Sequence, residues 1–173
     1  MRRVYLAGFD VFLPDAVAHG QRLKALVATY GFEGLYPLDN VPPPGLAGAP
    51  LAQWIYRANV AMIRRADLVM ANLNPFRGAE PDSGTAFEVG YAIACGKPVW
   101  GYTSQAGSLL EQSAVGVAAD DASRAVDAQG FTVEDFGMNL NLMLACSAHI
   151  VVGDAADCLA RICLLYTSDA ADE

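Results

Sequence analysis

Short apolar runs alternate with longer helix-forming stretches along most of this chain, and this alternation leaves few folds open to it. Runs of this kind are typical of strands that are buried on both faces. They predict strands at residues 4–7, 34–36, 67–71, 98–102 and 149–152. Strands that alternate with helices form a parallel sheet with helices on both faces. We therefore predict an α/β fold: one doubly wound domain of the flavodoxin or Rossmann type with a five-stranded parallel sheet.

The segments between these strands are assigned mostly to helices. Residues 37–50 form a loop rich in Pro and Gly, and residues 103–130 are expected to mix helix and loop. A loop as long as 37–50 inside a compact domain usually serves function. Helices are predicted at residues 15–30, 51–65, 83–96, 139–147 and 155–162.

Several residues follow predicted strands directly, which is where ligands bind in open α/β sheets. Gly8 and Asp10 follow the first strand, and Asn72 follows the third. The chain has no glycine-rich dinucleotide fingerprint after the first strand and no P-loop motif. His19 and His149 stand apart from any cysteine or carboxylate pair, so no metal site is predicted. We expect a ligand site at this sheet edge that uses no cofactor.

The charge composition of the chain argues against a nucleic acid partner. The last eleven residues, 163–173, resemble the translation of a sequencing adapter, so we predict a native domain at residues 1–162 followed by a non-native tail. Removing Asp169, Asp172 and Glu173 lowers the acidic count from 19 to 16 against 11 basic residues, a net charge of −5. An acidic protein is poorly suited to binding a nucleic acid polymer.

The distribution of apolar residues and cysteines indicates the cellular compartment. No run of about 18 apolar residues and no signal peptide is present, which argues against a membrane partner and against secretion. The cysteines at 95, 146 and 158 lie far apart in the sequence and fit reduced thiols. We therefore expect a cytoplasmic protein.

Two carboxylates stand six residues apart at a predicted helix start. With Asp82 at the cap and Glu88 in the second turn, both can face one site, and Gly84 leaves room there for a ligand because it has no side chain. A second interpretation is purely structural. Asp82 is an ordinary N-cap residue, and Thr85-x-x-Glu88 fits a capping box. The residues alone leave both interpretations open.

Three motifs, in order over about residues 3–160, resemble the nucleoside 2-deoxyribosyltransferases. They are Tyr5-Leu-Ala-Gly8, then Asn74-Pro-Phe-Arg-Gly78 followed by Asp82-Ser-Gly-Thr-Ala-Phe-Glu88-Val-Gly-Tyr, and Asn141-Leu-Met143. The central motif is the specific one. The resemblance implies an enzyme that exchanges free nucleobases on 2′-deoxyribonucleosides and works as a homo-oligomer without a cofactor.

The resemblance also implies roles for single residues. Glu88 would be the nucleophile that holds the deoxyribosyl group covalently, and Asp82 would contact the base and manage its proton. Tyr5 would position the nucleophile and the sugar. Asn141 and Met143 would complete the site of a neighbouring subunit. From the helix start we expect Glu88 to stay ionised, and we assign the raised pKa of the carboxylate pair to Asp82.

The chain departs from the family pattern in two places and leaves two rival functions open. Asn72 stands where several members carry an acid, and Phe9 stands where a proline is common. Asp10 is a weaker candidate ligand contact. Arg77 could stack on a base or bind a phosphate, which leaves open a hydrolase of deoxynucleoside 5′-monophosphates. The other rival is a catalytically silent nucleotide-binding module.

Overall fold

A computed structural model describes residues 1–168 and contains the predicted five-stranded sheet. In spatial order the strands are β2, β1, β3, β4 and β5, and every neighbouring pair is parallel. The order reverses beside β1, and in doubly wound folds ligands bind at such a switch point. The strands are β1 (Arg3–Ala7), β2 (Glu33–Leu35), β3 (Leu68–Asn72), β4 (Val99–Thr103) and β5 (His149–Val152).

Helices cover both faces of the sheet because strand residues alternate between two cores. Val4 and Leu6 belong to a core with α1 (Ala16–Thr29) and the last helix (Ala155–Ser168). Tyr5 and Ala7 point the other way, into a core with α2 (Gly48–Arg65) and α3 (Ser83–Ala94). Glu88 lies on α3, so the face that holds Tyr5 is the face that holds the predicted nucleophile.

The segment between β4 and β5 departs most from expectation. It contains α4 (Leu109–Ser113), α5 (Leu142–Ala145) and two short antiparallel strands, Gly116–Val117 and Ala125–Val126. The predicted helix at 139–147 was wrong in length. Asn139 donates its side-chain amide to the Gln105 carbonyl oxygen, and such side-chain bonds compete with helix.

The other boundaries lie within a few residues of the predictions. The last helix, α6 (Ala155–Ser168), begins where residues 155–162 were predicted to start a closing helix, and residues 169–173 lie outside the described part of the chain. The assignment of 163–173 as a non-native tail stays a prediction. Within residues 1–168, no helix combines the length and the apolar character needed to cross a membrane.

Candidate active site

A pocket of about 440 Å³ opens at the switch point, between the end of β1, the loop after β2, α2 and the start of α3. Its two long walls come from α2 and α3, which pack side by side on one sheet face. Four predicted site residues line it. They are Gly8, Asp82, Gly84 and Glu88.

Glu88 is held by a tyrosine beneath it. The Tyr5 hydroxyl donates a 2.6 Å hydrogen bond to Glu88 Oε1, and Tyr5 itself is fully buried. Burial is the main cause that raises the pKa of Glu88 to about 7; the Tyr5 hydrogen bond lowers the pKa, and the charge of Asp82 makes a smaller raising contribution. Burial and the Glu88 charge raise the pKa of Tyr5 well above its usual value, so Tyr5 stays a donor.

These surroundings bear on two expectations about the carboxylate pair. Burial of Glu88 outweighs the helix N-terminus that was expected to keep it ionised. The carboxyl whose pKa is raised in this structure is Glu88. At neutral pH, Glu88 is poised between its two protonation states.

Asp82 serves the helix and faces the pocket at once. Its Oδ2 accepts hydrogen bonds from the Thr85 backbone N at 2.9 Å and the Thr85 hydroxyl at 3.1 Å, which caps α3. The structural interpretation therefore holds for Asp82 as a cap. It does not hold for Glu88, because Glu88 bonds to Tyr5 and Thr85 bonds to Asp82.

Asp10 and Asn72 lie behind the pocket wall. Asn72 donates its amide to both Asp10 carboxylate oxygens at 3.0 and 3.1 Å, and His19 Nε2 lies 3.0 Å from Asp10 Oδ1. A side chain at Gly8 would meet this pair, since an added Cβ would stand 2.4 Å from Asp10 Oδ2. The two residues shape the floor at Gly8, and neither is among the residues that line the pocket.

Arg77 is exposed and lies outside the pocket lining, but it contacts one lining residue. Its guanidinium carbon lies 5.1 Å from the ring centre of Phe12, a lining residue, and 4.6 Å from that of Phe76. Phe76 also stacks on Phe9 and Phe12 with ring centres 5.1 and 5.3 Å apart. Phe9, which stands where a proline is common, therefore belongs to an aromatic cluster with Phe12 and Phe76 beside the pocket.

Asn141 and Met143 do not line the pocket of their own chain. They line a separate groove against α3, together with Val89 and Ile93. Asn141 donates its amide to Glu134 Oε1 at 2.7 Å and caps α5 by accepting from the Met143 backbone N. Met143 is 71% exposed.

The wall opposite Glu88 was not predicted. Leu51, Trp54, Ile55 and Asn59 recur on one face of α2 at helical spacing and line the pocket. Asn59 Oδ1 is buried and has no hydrogen-bond partner within the described residues. The sequence feature that could have indicated this wall is the long Pro- and Gly-rich segment before α2. Four of its residues also line the pocket: Pro37, Leu38, Asn40 and Pro42.

Known proteins resemble the chain in both sequence and structure. The sequence model of the nucleoside 2-deoxyribosyltransferase family matches residues 4–143. A solved 2-deoxyribosyltransferase from Leishmania mexicana is 33% identical with a TM-score of 0.75, and the match covers 95% of this chain and 98% of that one.

Two further similarities support less, because one covers only part of each chain and the other has low sequence identity. An uncharacterised protein of Schizosaccharomyces pombe is 36% identical over 104 residues, which is 58% of this chain and 49% of that protein. The match therefore spans about half the length of that curated relative. A CMP N-glycosidase from Clostridium botulinum, at 16% identity and a TM-score of 0.50, covers 94% of this chain and 99% of that one and shares the fold.

Proposed function

Because the chain belongs to the nucleoside 2-deoxyribosyltransferase family, we propose that it moves the 2-deoxyribosyl group from one nucleobase to another through a covalent intermediate on Glu88. The substrates are 2′-deoxyribonucleosides and free nucleobases. One observation carries the proposal. A carboxylate fixed at 2.6 Å by a buried tyrosine lines a pocket together with a second carboxylate from the same helix.

The first half of the reaction forms an ester. Ionised Glu88 attacks the anomeric carbon, the C1′–N bond breaks, and the base leaves with the bonding electron pair. Tyr5 holds Oε1, so Oε2 is the oxygen available for the attack. In the second half an incoming base nitrogen attacks C1′ and releases Glu88. Two inversions at one carbon keep the β configuration.

Asp82 handles the proton of the base in this mechanism. A departing base is a better leaving group when a nitrogen or oxygen of its ring system is protonated. Asp82 lines the pocket at the N-cap of α3, six residues before Glu88; its Oδ2 bonds to Thr85, and its Oδ1 is left for the base. The same carboxyl would take the proton back from the incoming base.

The facing wall supports binding of a flat, partly polar ligand. Trp54 and Ile55 offer apolar surface to a base or sugar ring, and burying them against a ligand excludes water from the ester. The unpartnered Asn59 Oδ1 offers an acceptor to an N–H or O–H of the substrate. Gly84 leaves room beside Asp82, since a Cβ at Gly84 would stand 3.0 Å from Asp82 Oδ2.

We assign Asn141 and Met143 to the site of a neighbouring copy in a homo-oligomer. The support is their position, because they lie outside their own pocket and Met143 is 71% exposed. Mixing inactive Glu88→Ala chains with inactive Asn141→Ala chains should restore activity, since some mixed dimers carry one intact site. No recovery in verified mixed oligomers would place the whole site within one chain.

Incubation with a panel of deoxynucleosides and free bases, with products separated by chromatography, tests the proposal. New deoxynucleosides should form only when an acceptor base is present. Intact-mass analysis after brief mixing with donor alone should show one added deoxyribosyl group on the parent and none on Glu88→Ala. Base release that ignores acceptors would favour the hydrolase, and binding without release would favour the silent module.

A further inference from the structure

The two ends of the 104–143 segment, which carries Asn141, are tied to each other. The segment leaves the sheet after β4 and returns toward it before β5. On the return, the Asn139 side-chain amide donates to the Gln105 carbonyl oxygen at 2.7 Å. The Gln112 side-chain amide donates to the Asn139 carbonyl oxygen at 2.9 Å. Asn139 is therefore held by both its side chain and its backbone, two residues before Asn141.

Asn74 fastens the start of this segment to the end of β3. Its Oδ1 accepts hydrogen bonds from the Ser104 backbone N at 2.9 Å and from the Ser104 hydroxyl at 2.8 Å. Because a backbone N–H can only donate, this bond fixes which end of the Asn74 amide faces Ser104. Asn74 Nδ2 donates to Asn72 Oδ1 at 2.8 Å, and Asn72 donates in turn to Asp10. Asn72 and Asp10 are buried, so the segment starts from a fixed hydrogen-bond network.

We propose that Asn74 is a positioning residue for the site of another copy, because its hold on Ser104 sets where the 104–143 segment enters the neighbouring pocket. The inference rests on the proposed function, which assigns Asn141 of this segment to that pocket. A misplacement of about 1 Å at a site can cost about 10²-fold in rate, even when the change lies far from the chemistry. The rival explanation is an effect within one chain, since the loop after β3 leads from Asn74 to Asp82.

Mixed oligomers separate the two explanations. Parent chains are mixed with an excess of either Glu88→Ala chains or Asn74→Ala/Glu88→Ala chains, and native mass spectrometry verifies subunit exchange. Every active site then has Glu88 and Asp82 from a parent chain, so the two mixtures differ only in what the neighbour supplies. Base exchange per parent chain should be about tenfold slower with the double variant, because two hydrogen bonds to Ser104 are lost in the neighbour. An effect within one chain predicts equal rates.

Ser104→Ala provides a milder test that leaves the buried amides unchanged. It removes the hydroxyl bond to Asn74 and keeps the backbone bond, so parent chains mixed with Ser104→Ala/Glu88→Ala chains should be about threefold slower. Ser123→Ala is the matched control on the same segment. Ser123 is exposed, and its hydroxyl donates to Asp121 within a local turn, so Ser123→Ala/Glu88→Ala chains should act like Glu88→Ala chains.

The outcomes of these mixtures are distinct from a failure of the shared site. If verified mixed oligomers exchange bases equally fast with Glu88→Ala chains and with both double variants, the inference is overturned and Asn74 serves its own chain. A slower rate with the Ser123 control would overturn it as well, since the effect would not depend on the Asn74 bonds. The shared site itself is judged separately, by recovery of activity between Glu88→Ala and Asn141→Ala chains.

Discussion

The two long walls of the pocket differ in how their polar groups are satisfied. On the α3 wall, Glu88 bonds to Tyr5 and Asp82 bonds to Thr85 before any ligand arrives. On the α2 wall, most of the surface is apolar and the Asn59 acceptor has no partner within the described residues. The carboxylates of the α3 wall are therefore already hydrogen-bonded in the free protein, whereas the α2 wall has an acceptor available for a ligand.

This difference separates chemistry from recognition. Groups that attack or transfer protons must be held in position beforehand, because reordering them during the reaction raises the barrier. A buried acceptor without a partner costs about 1–3 kcal/mol, which a bound ligand recovers. Substitutions on the α3 wall should therefore act on rate, and substitutions on the α2 wall should act on substrate binding and on folding.

The largest expected effect is the loss of base exchange in Glu88→Gln. The amide keeps the size of the side chain and cannot form the ester, so kcat should fall at least about 10⁴-fold, each tenfold corresponding to about 1.4 kcal/mol of barrier. Initial rates of exchange and thermal unfolding are measured together. Glu33→Gln, at the one exposed position of β2, is the control. A folded Glu88→Gln protein within tenfold of the parent would rule out Glu88 as the nucleophile.

Substitution of Asp82 should cause a smaller loss of activity. Two variants can separate its role in catalysis from its role as a helix cap. Asp82→Asn retains an acceptor for the Thr85 N–H and removes the proton, so kcat should fall about 10²–10³-fold with thermal stability unchanged. Asp82→Ala should lose the same activity and about 1 kcal/mol of stability with the cap. Rates and unfolding midpoints are compared for both. If Asp82→Asn keeps full activity, Asp82 is only a cap.

The α3 wall was largely predictable because its parts are local in sequence. Asp82, Gly84 and Glu88 fall within one motif at a helix start, and the period of two in β1 fixes which face Tyr5 joins. Local pattern could not decide which carboxyl has the raised pKa. That depends on how far the partly buried Glu88 is shielded from solvent, and the residues around it come from β1 and α2, which are distant in sequence.

The α2 wall and the segment before β5 depend on contacts between distant residues. Asn59 faces the pocket only because Met62 and Ile63, one turn later, are buried in the core and set the rotation of α2. The helix observed within residues 139–147 is shorter than predicted because the first residues of this segment make side-chain hydrogen bonds outside the helix. Asn139 reaches Gln105, 34 residues earlier, and Asn141 reaches Glu134. Neither partnership can be read from local periodicity.

Asn59→Leu tests whether the unpaired acceptor of the α2 wall serves substrate binding. Leucine has a similar size and removes the buried acceptor, so the free energy of unfolding should rise by about 1 kcal/mol. Substrate binding should weaken, with KM up about tenfold and kcat changed less than about threefold. Gln53→Leu is the control, an exposed amide on the same helix. Loss of stability, or a loss of kcat alone, would place Asn59 with the catalytic wall.

The smallest expected effect is a displaced pH profile in Tyr5→Phe. Exchange needs ionised Glu88, so log kcat/KM of the parent should rise with pH up to about 7, the pKa of Glu88, and then level off. The Tyr5 hydrogen bond lowers that pKa, so its removal should raise it and move the rising limb to higher pH. At pH values below the Glu88 pKa of the parent, kcat/KM of the variant should fall by up to about tenfold for each pH unit by which the rising limb moves. At high pH the two profiles should converge. If kcat/KM fell by the same factor at every pH, Tyr5 would act by contacting the sugar or the transition state directly. In that case the hydrogen bond from Tyr5 would not be what prepares Glu88 for attack.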